Sequence, residues 1–361
     1  MNIKEIGSNF WMNVKHIETY SANMFGEFEK HMVGDVTYFS SGRGAIEALI
    51  KQYGVEGKKV LVPIYCCHTV FEPFIKAGCS VTYYQINKDL TVNIKDLFQK
   101  IQERVPQYIL VMSYFGKDTL CDLKPFLEQF RKQGIKIIED LTQSMFSDCK
   151  YKGADFYVGS FRKWGPITDG GYLIAKEKPC EKIAVTSNEK LIEAKKRALQ
   201  KKYEYMELGI GDKEEFLQLQ RQAENLVDND NNIYAMSDTG RKMLSQWKIE
   251  EIKIQRRENY NQLLREMVPE MCVSPVLREL KDNEVPLYFM VYCEKERSVI
   301  QSYLAKRNIY APVIWPLMER LKGMLSLDGK YIYSHILALP CDQRYTEKDM
   351  KRIIDVLQNF K

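Results

Sequence analysis

The chain has 361 residues, of which 45% are hydrophobic and 28% are charged, as in an ordinary globular protein. Its formal net charge of +5 is small for this length, and no basic stripe interleaves with aromatic residues, so we expect no nucleic-acid partner. The nine cysteines contain no C-x-x-C pair, and no stretch has the length of a signal-peptide core or a membrane span. We therefore expect a cytoplasmic protein without a metal site or a membrane partner.

The first 36 residues are rich in aromatic side chains and are interpreted as an arm that packs against the rest. A strand-like run, Thr37–Phe39, is followed by Ser40–Gly44 and then by the helical stretch AIEALIKQYG. Small residues at a helix start leave backbone N–H groups bare, and these bind anions together with the helix dipole. Arg43 adds a cation there. A plain serine-capped helix would fit the same residues.

Strands and helices then alternate, which predicts parallel pairing with helices on both faces of a sheet. The predicted strands are Lys58–Pro63, Ser80–Ile86, Tyr108–Met112 and Ile135–Ile138. In such sheets a ligand binds beyond the carboxyl ends of the strands. Polar residues follow the strand ends, at Ser41–Gly44, Tyr65–Thr69, Ser113–Gly116 and Asp140–Ser144. We therefore predict a site assembled from several strand ends.

Asp140 follows the predicted strand Ile135–Ile138 and Glu139, so its carboxylate must be paired or hydrogen-bonded if it is buried. One interpretation is that it holds a cationic nitrogen, such as a protonated pyridine. Capping of the next helix and ligation of magnesium are alternatives. Gln143, one turn further on, is expected to face the same pocket.

The stretch Phe156–Ile174 places Arg162 and Lys163 between two apolar strands, where charges are costly without a partner or a role. A lysine amine in a dry pocket is easily deprotonated and attacks carbonyl groups. Lys163 is therefore our candidate nucleophile. Residues 180–235 are interpreted as a solvated, lysine-rich helical excursion, for which a nucleic-acid surface is a less favoured alternative. A single helix is predicted over 239–267, before a C-terminal α+β segment.

The order of these parts resembles the DegT/DnrJ/EryC1/StrS sugar aminotransferase family of fold-type-I pyridoxal phosphate enzymes. The matching stretches are SSGRGAIEAL, VLVPIYCCHTVFEPFIKAGCSVTYYQI, VMSYFGK, GIKIIEDLTQS, GSFRKWGPITDGGYLI, RRENYNQLL and LALPCDQRYTEKDM. The resemblance implies an α/β fold with a mostly parallel sheet sandwiched by helices. It also implies an N-terminal arm (1–36), a large cofactor domain (37–245), a smaller C-terminal α+β domain (246–361) and a homodimer.

The resemblance also implies roles for individual residues. Lys163 would bind the cofactor aldehyde covalently and move protons between substrate atoms. Asp140 would keep the pyridine nitrogen protonated, and Gln143 would contact the ring hydroxyl.

The phosphate cradle implied by the family is formed by the start of the first long helix and a serine. Its members here are Gly42, Arg43, Gly44 and Ser160. The aromatic residue that stacks on the cofactor ring in the family is replaced by Cys67, so His68 is predicted to take that role, with Tyr65 as the alternative. The chain also departs from the family in two ways. Ser160 and Lys163 are two residues closer together than usual. An Asn and an Arg that serve the neighbouring subunit in many relatives are absent at the matching positions, where the chain reads NIYAMS over 232–237.

The implied function is transfer of an amino group from an amino acid to a keto sugar, linked to a nucleotide, in polysaccharide biosynthesis. In relatives that dehydrate sugars the lysine is replaced by histidine, so Lys163 favours transamination. The alternative is a pyridoxal phosphate-binding paralogue that has lost transamination and has a binding or regulatory role.

Overall fold

A computed structural model describes residues 4–21, 26–29, 34–181, 186–228, 230 and 232–360. Positions 1–3, 22–25 and 30–33 of the predicted arm lie outside the described residues, as do 182–185, 229 and 231 of the predicted excursion. Within the described ranges, no helix combines the length and the apolar character needed to cross a membrane.

The central sheet is mostly parallel, as predicted. The strands of the chain are β1 (Ile6–Gly7), β2 (Val36–Phe39), β3 (Lys59–Pro63), β4 (Ser80–Tyr84), β5 (Tyr108–Met112), β6 (Lys136–Asp140), β7 (Phe156–Ser160), β8 (Gly171–Ala175), β9 (Val273–Pro275), β10 (Phe289–Cys293), β11 (Ile309–Tyr310) and β12 (Ile336–Leu339). Seven of them form one sheet in the order β2-β8-β7-β6-β5-β3-β4. Strand β3 pairs in parallel with β4 and β5, and β5 pairs in parallel with β6, whereas β8 is antiparallel to β2 and β7.

Helices flank this sheet, which confirms the predicted fold class. They are α1 (Gly26–Glu29), α2 (Gly42–Gln52), α3 (His68–Lys76), α4 (Ile94–Arg104), α5 (Lys124–Lys132), α6 (Glu189–Tyr203), α7 (Lys213–Asp228), α8 (Asp238–Leu244), α9 (Ile249–Glu266), α10 (Arg297–Ala305), α11 (Leu327–His335) and α12 (Glu347–Gln358). Several begin at a side-chain cap; Asn93, for example, accepts the Asp96 amide at 3.0 Å at the start of α4.

The chain divides into two compact units. Unit 1 comprises Met1–Ser8, Gly57–Ala154 and Glu250–Lys361, and unit 2 comprises Asn9–Glu56 and Asp155–Ile249. The domain boundaries predicted above at residues 36 and 245 stay a prediction.

Unit 1 contains the parallel strands β3 to β6 and a separate antiparallel sheet with the order β12-β10-β9. All five residues of β5 are buried, as expected for a strand covered on both faces. The residues of β1, expected to be irregular, pair in parallel with β11. A side chain at Gly7 would clash there, because an added Cβ would lie 2.2 Å from the Tyr310 carbonyl oxygen and the glycine has a φ of +96°.

Unit 2 contains β2, β7 and β8 with helices α2 and α6 to α8. The single helix predicted over 239–267 is wrong in one respect, because α8 ends at Leu244 and α9 begins at Ile249. The break lets Trp247 pack on the chain after Lys163. Its indole N–H donates to the Pro166 carbonyl at 3.2 Å, and an added Cβ on Gly165 would lie 2.7 Å from its ring.

Candidate active site

The start of α2 lies directly against the end of β7 in unit 2. An added Cβ on Gly42 would lie 3.1 Å from the Ser160 Cβ and 3.3 Å from the Gly159 carbonyl oxygen, so a larger residue would crowd this junction. Ser41 is the N-cap of α2, and its Oγ accepts the Gly44 amide at 3.0 Å. The serine-capped arrangement is therefore present. The amides of Gly42 and Arg43, also in the first turn, are the donors that remain for an anion.

The guanidinium of Arg43 turns to helix α7 rather than to solvent. Its Nη1 donates to the Val227 carbonyl at 3.0 Å, and its Nη2 to Asp228 Oδ1 at 2.8 Å. Only 8% of the side chain is exposed. Its Nε is buried and has no hydrogen-bond partner among the residues that the structure describes. The sequence did not indicate that Arg43 has a carboxylate partner.

Lys163 ends a short 3-10 helix, Phe161–Lys163, that follows β7 without a break. Its neighbours Phe161 and Trp164 are fully buried, and the Trp164 amide closes the turn by donating to the Phe161 carbonyl at 2.9 Å. The lysine itself is half-buried. Two buried aromatic side chains therefore fix the backbone on either side of Lys163, close to Ser160.

Asp169 connects the segment after Lys163 to the start of α8. It is buried, and its carboxylate accepts the Ser237 amide at 2.8 Å and the Ser237 hydroxyl at 2.5 Å. Burial raises its pKa, and these hydrogen bonds oppose the rise. Asp169 thereby anchors the first turn of α8 to the segment that carries Lys163.

In unit 1, Asp140 is the last residue of β6 and is 2% exposed. Its Oδ1 accepts the Thr142 amide at 2.8 Å. Burial raises its pKa, while the bonds with Thr142 oppose that rise. No basic side chain in the described part of the chain forms an ion pair with it. A cationic group of a ligand would therefore stabilise its ionised form.

Gln143 is buried and oriented by the backbone of the neighbouring strand end. Its Oε1 accepts the Phe115 amide at 3.1 Å, and this fixes which end of the side-chain amide is the oxygen. The Nε2 group is left to donate, as contact with a ring hydroxyl requires. Asp140 and Gln143 both lie at strand ends of unit 1.

The residues proposed to stack on a cofactor ring differ in exposure. Tyr65 is fully buried, and its ring is 4.8 Å from that of Trp315 and 5.1 Å from that of Tyr333. Its hydroxyl has no hydrogen-bond partner in the portion of the chain that is described. His68 is exposed and is the first residue of α3. Because Tyr65 is enclosed by core aromatics, His68 is the more accessible of the two.

Glu139 precedes Asp140 and points to the other face of β6. It is fully buried, and its Oε2 accepts the Tyr151 amide at 2.8 Å. Burial raises its pKa from the ordinary 4.5 to about 7, although the Tyr151 amide and the nearby Lys124 oppose the rise.

We expect Glu139 to make folding stability fall as pH rises. The Glu139 carboxyl ionises at about pH 4.5 in the unfolded chain and only at about pH 7 in the folded chain. The free energy of unfolding therefore falls as pH rises between these values, by roughly 3 kcal/mol in total. A Glu139→Gln variant removes the titration. The free energy of unfolding in urea is measured for both proteins from pH 4 to pH 8. The variant should gain stability relative to wild type as the pH rises. The same pH dependence in both proteins would contradict this assignment.

Comparison with solved structures shows the fold. The chain is 15% identical to Helicobacter pylori PseC, an aminotransferase involved in the biosynthesis of pseudoaminic acid, with a TM-score of 0.69 over 99% of this chain and 100% of that one. TlmJ, an aminotransferase from Streptoalloteichus hindustanus, is 16% identical with a TM-score of 0.68 over 99% of this chain and 97% of that one. Spr1654 from Streptococcus pneumoniae in its PLP form is 14% identical with a TM-score of 0.70, over 98% and 97% of the respective chains. No curated protein matches the sequence.

The sequence profile of the DegT/DnrJ/EryC1/StrS aminotransferase family matches residues 5–213, more than half of the chain. The cofactor of that family, pyridoxal phosphate, also fits the residues present. The glycine at position 42 keeps the start of α2 open beside Ser160, and the buried Asp140 carboxylate suits a protonated pyridine nitrogen. The chain belongs to the DegT/DnrJ/EryC1/StrS family of pyridoxal phosphate-dependent sugar aminotransferases.

Proposed function

We propose that this aminotransferase moves an amino group from an amino acid to a keto sugar linked to a nucleotide, as a cytoplasmic homodimer that serves polysaccharide biosynthesis. Family membership supports an aminotransferase that acts on sugars. The observation that carries transamination is Lys163 itself, an amine fixed between the buried Phe161 and Trp164. Its presence also favours this function over dehydration, for which relatives have a histidine in place of the lysine.

We propose that the residues described above bind pyridoxal phosphate, which when bound supplies an electron sink for the substrate carbon. Asp140 holds a proton on the pyridine nitrogen by placing a buried carboxylate beside it. Gln143 donates from Nε2 to the ring hydroxyl. The Nζ of Lys163 would hold the cofactor aldehyde, and as a free amine, once the substrate amine has displaced it, it would take and return the proton that moves between substrate atoms.

We propose that the phosphate is bound in unit 2. The amides of Gly42 and Arg43 donate to it at the start of α2, where the helix dipole favours negative charge. The Ser160 hydroxyl adds a third donor. The Gly44 amide donates to Ser41 Oγ, so Gly44 contributes by holding the cap of α2 and not by donating to the phosphate. His68 is the proposed stacking residue, and the domains are proposed as 1–36, 37–245 and 246–361.

The amino donor and the sugar are tested in two half-reactions. Purified protein loaded with pyridoxal phosphate is mixed with glutamate, glutamine or aspartate, and conversion of the cofactor to its amine form is followed by absorbance. The amine form is then mixed with nucleotide-linked 3-keto and 4-keto sugars, and with the same keto sugars free of nucleotide. We expect one amino acid to convert the cofactor and a nucleotide-linked sugar to reverse the change. Conversion by none of the amino acids would contradict transamination, and equal reaction of the free sugars would contradict the nucleotide link.

A further inference from the structure

Helix α7 carries two carboxylates on one face, and each binds a different arginine. Glu224 Oε2 accepts Arg162 Nη1 at 2.7 Å, and Asp228 Oδ1 accepts Arg43 Nη2 at 2.8 Å. Glu224 and Asp228 are four residues apart, so they lie one above the other on the helix surface. One helix therefore connects two segments that are far apart in the sequence.

Both arginines belong to the segments proposed to hold the cofactor. Arg162 immediately precedes Lys163 in the 3-10 helix, and Arg43 lies between Gly42 and Gly44 in the first turn of α2. The Val227 carbonyl of α7 also accepts Arg43 Nη1, at 3.0 Å. Both Nη groups of Arg43 are thus used by α7. The buried Nε–H of Arg43 has no partner in the residues described, and it remains as a donor beside the start of α2.

Glu224 is also held from a second side. Lys195 of α6 donates to its Oε1 at 2.5 Å, and only 12% of the Lys195 side chain is exposed. Burial alone would raise the pKa of Glu224, but the charges of Arg162 and Lys195 lower it to about 2. The carboxylate is therefore ionised throughout the physiological pH range, and its ion pair with Lys195 joins α7 to α6.

We propose that Glu224 and Asp228 of α7 are positioning residues for the phosphate site, and we call these two carboxylates the clamp. They hold Arg162 and Arg43. In this way they keep the 3-10 helix that contains Lys163 and the first turn of α2 in the arrangement that binds the phosphate. This inference rests on the proposed function. The clamp acts through the two arginines and touches no substrate. Its loss should weaken binding of the phosphate group without weakening contacts to the pyridine ring.

The test uses the full-length protein with Glu224→Gln and Asp228→Asn, singly and together. Dissociation constants are measured for pyridoxamine phosphate and for pyridoxamine, which has the same ring without the phosphate; neither has an aldehyde for Lys163 to bind. We expect the double variant to bind pyridoxamine phosphate at least about tenfold more weakly, while its affinity for pyridoxamine is unchanged. Glu214→Gln is the matched control, because Glu214 lies on the same helix but pairs with Arg221 within α7. It should change neither constant.

Two further measurements separate positioning from general damage to the fold. In the cofactor-free protein, amide hydrogen exchange in the first turn of α2 should be faster in the double variant than in wild type and unchanged in Glu214→Gln. The charge-conserving variant Glu224→Asp, which keeps a carboxylate for Arg162 and Lys195, should retain affinity closer to the wild-type value than Glu224→Gln does. Unchanged affinity for pyridoxamine phosphate in the double variant, or an equal loss for both ligands, would overturn the clamp. Failure of the wild-type protein to bind either ligand would instead overturn the proposed function.

Discussion

Replacing Lys163 with alanine is expected to lower the transamination rate by about 10²- to 10⁴-fold, the range for a lost general acid–base group. The same change should abolish the covalent bond between protein and cofactor, because the 3-10 helix at the end of β7 then has no amine. Rates of the amino acid half-reaction are compared by stopped-flow absorbance. Because Phe161 and Trp164 are unchanged, the local backbone should keep its structure.

The matched control for this substitution is Lys178→Ala. Lys178 lies in the same unit, is exposed, and pairs with Glu181 at 2.7 Å, so its loss should leave the rate unchanged. Added methylamine should restore part of the activity of the Lys163→Ala protein, since a small free amine can carry the proton. A Lys163→Ala enzyme that reacts as fast as Lys178→Ala would exclude the proposed role.

Replacing Asp140 with asparagine is expected to slow the amino acid half-reaction by about 10²- to 10³-fold, as the loss of one preorganised electrostatic contact does in other enzymes. Asparagine keeps an oxygen that can accept the Thr142 amide, so the strand end should retain its geometry. It has no charge to keep a pyridine nitrogen protonated, and the bound cofactor becomes a weaker electron sink. We expect the cofactor to stay bound while the reaction slows.

Glu139→Gln is the control for this second prediction. Glu139 is the preceding residue of β6, is also buried, and its side chain points to the opposite face of the sheet. Its neutral substitution should alter the pH dependence of stability and leave the half-reaction rate within about twofold of wild type. If both variants reacted at the wild-type rate, the carboxylate of Asp140 would have no part in the chemistry.

Elements with a strong local signal could be predicted from the sequence to within a residue or two. Strand β5 has the predicted bounds because Tyr108–Met112 is an unbroken apolar run. Asp140 was expected at a strand end, and the structure places it as the last residue of β6. In each case the sequence pattern that predicts the element lies within a few residues of it.

Contacts between distant residues could not be predicted in this way. The partners of Arg43 and Arg162 on α7 are 185 and 62 residues away, and helical periodicity does not report which carboxylate meets which arginine. The break between α8 and α9 has the same origin, since the helix pattern continues through Trp247. The gap depends on docking of that side chain against Gly165 and Pro166.

The basic run of α6 illustrates how tertiary contacts change a sequence-based interpretation. Lys195 binds Glu224, Lys201 binds Glu215 at 3.1 Å, and Lys196 lies 3.5 Å from Glu18. Lys202 is fully buried and donates to the Asn9 carbonyl. The lysines therefore hold neighbouring segments of unit 2 together, and much of their charge is balanced locally.

The most direct measurement of the central claim is to find which residue binds the cofactor covalently. Protein loaded with pyridoxal phosphate is reduced with borohydride and digested, and the modified peptide is sequenced by mass spectrometry. We predict that the cofactor mass is on Lys163, in the peptide that contains the turn after β7. Labelling of any other lysine, or no label in a protein that has bound the cofactor, would contradict the assignment.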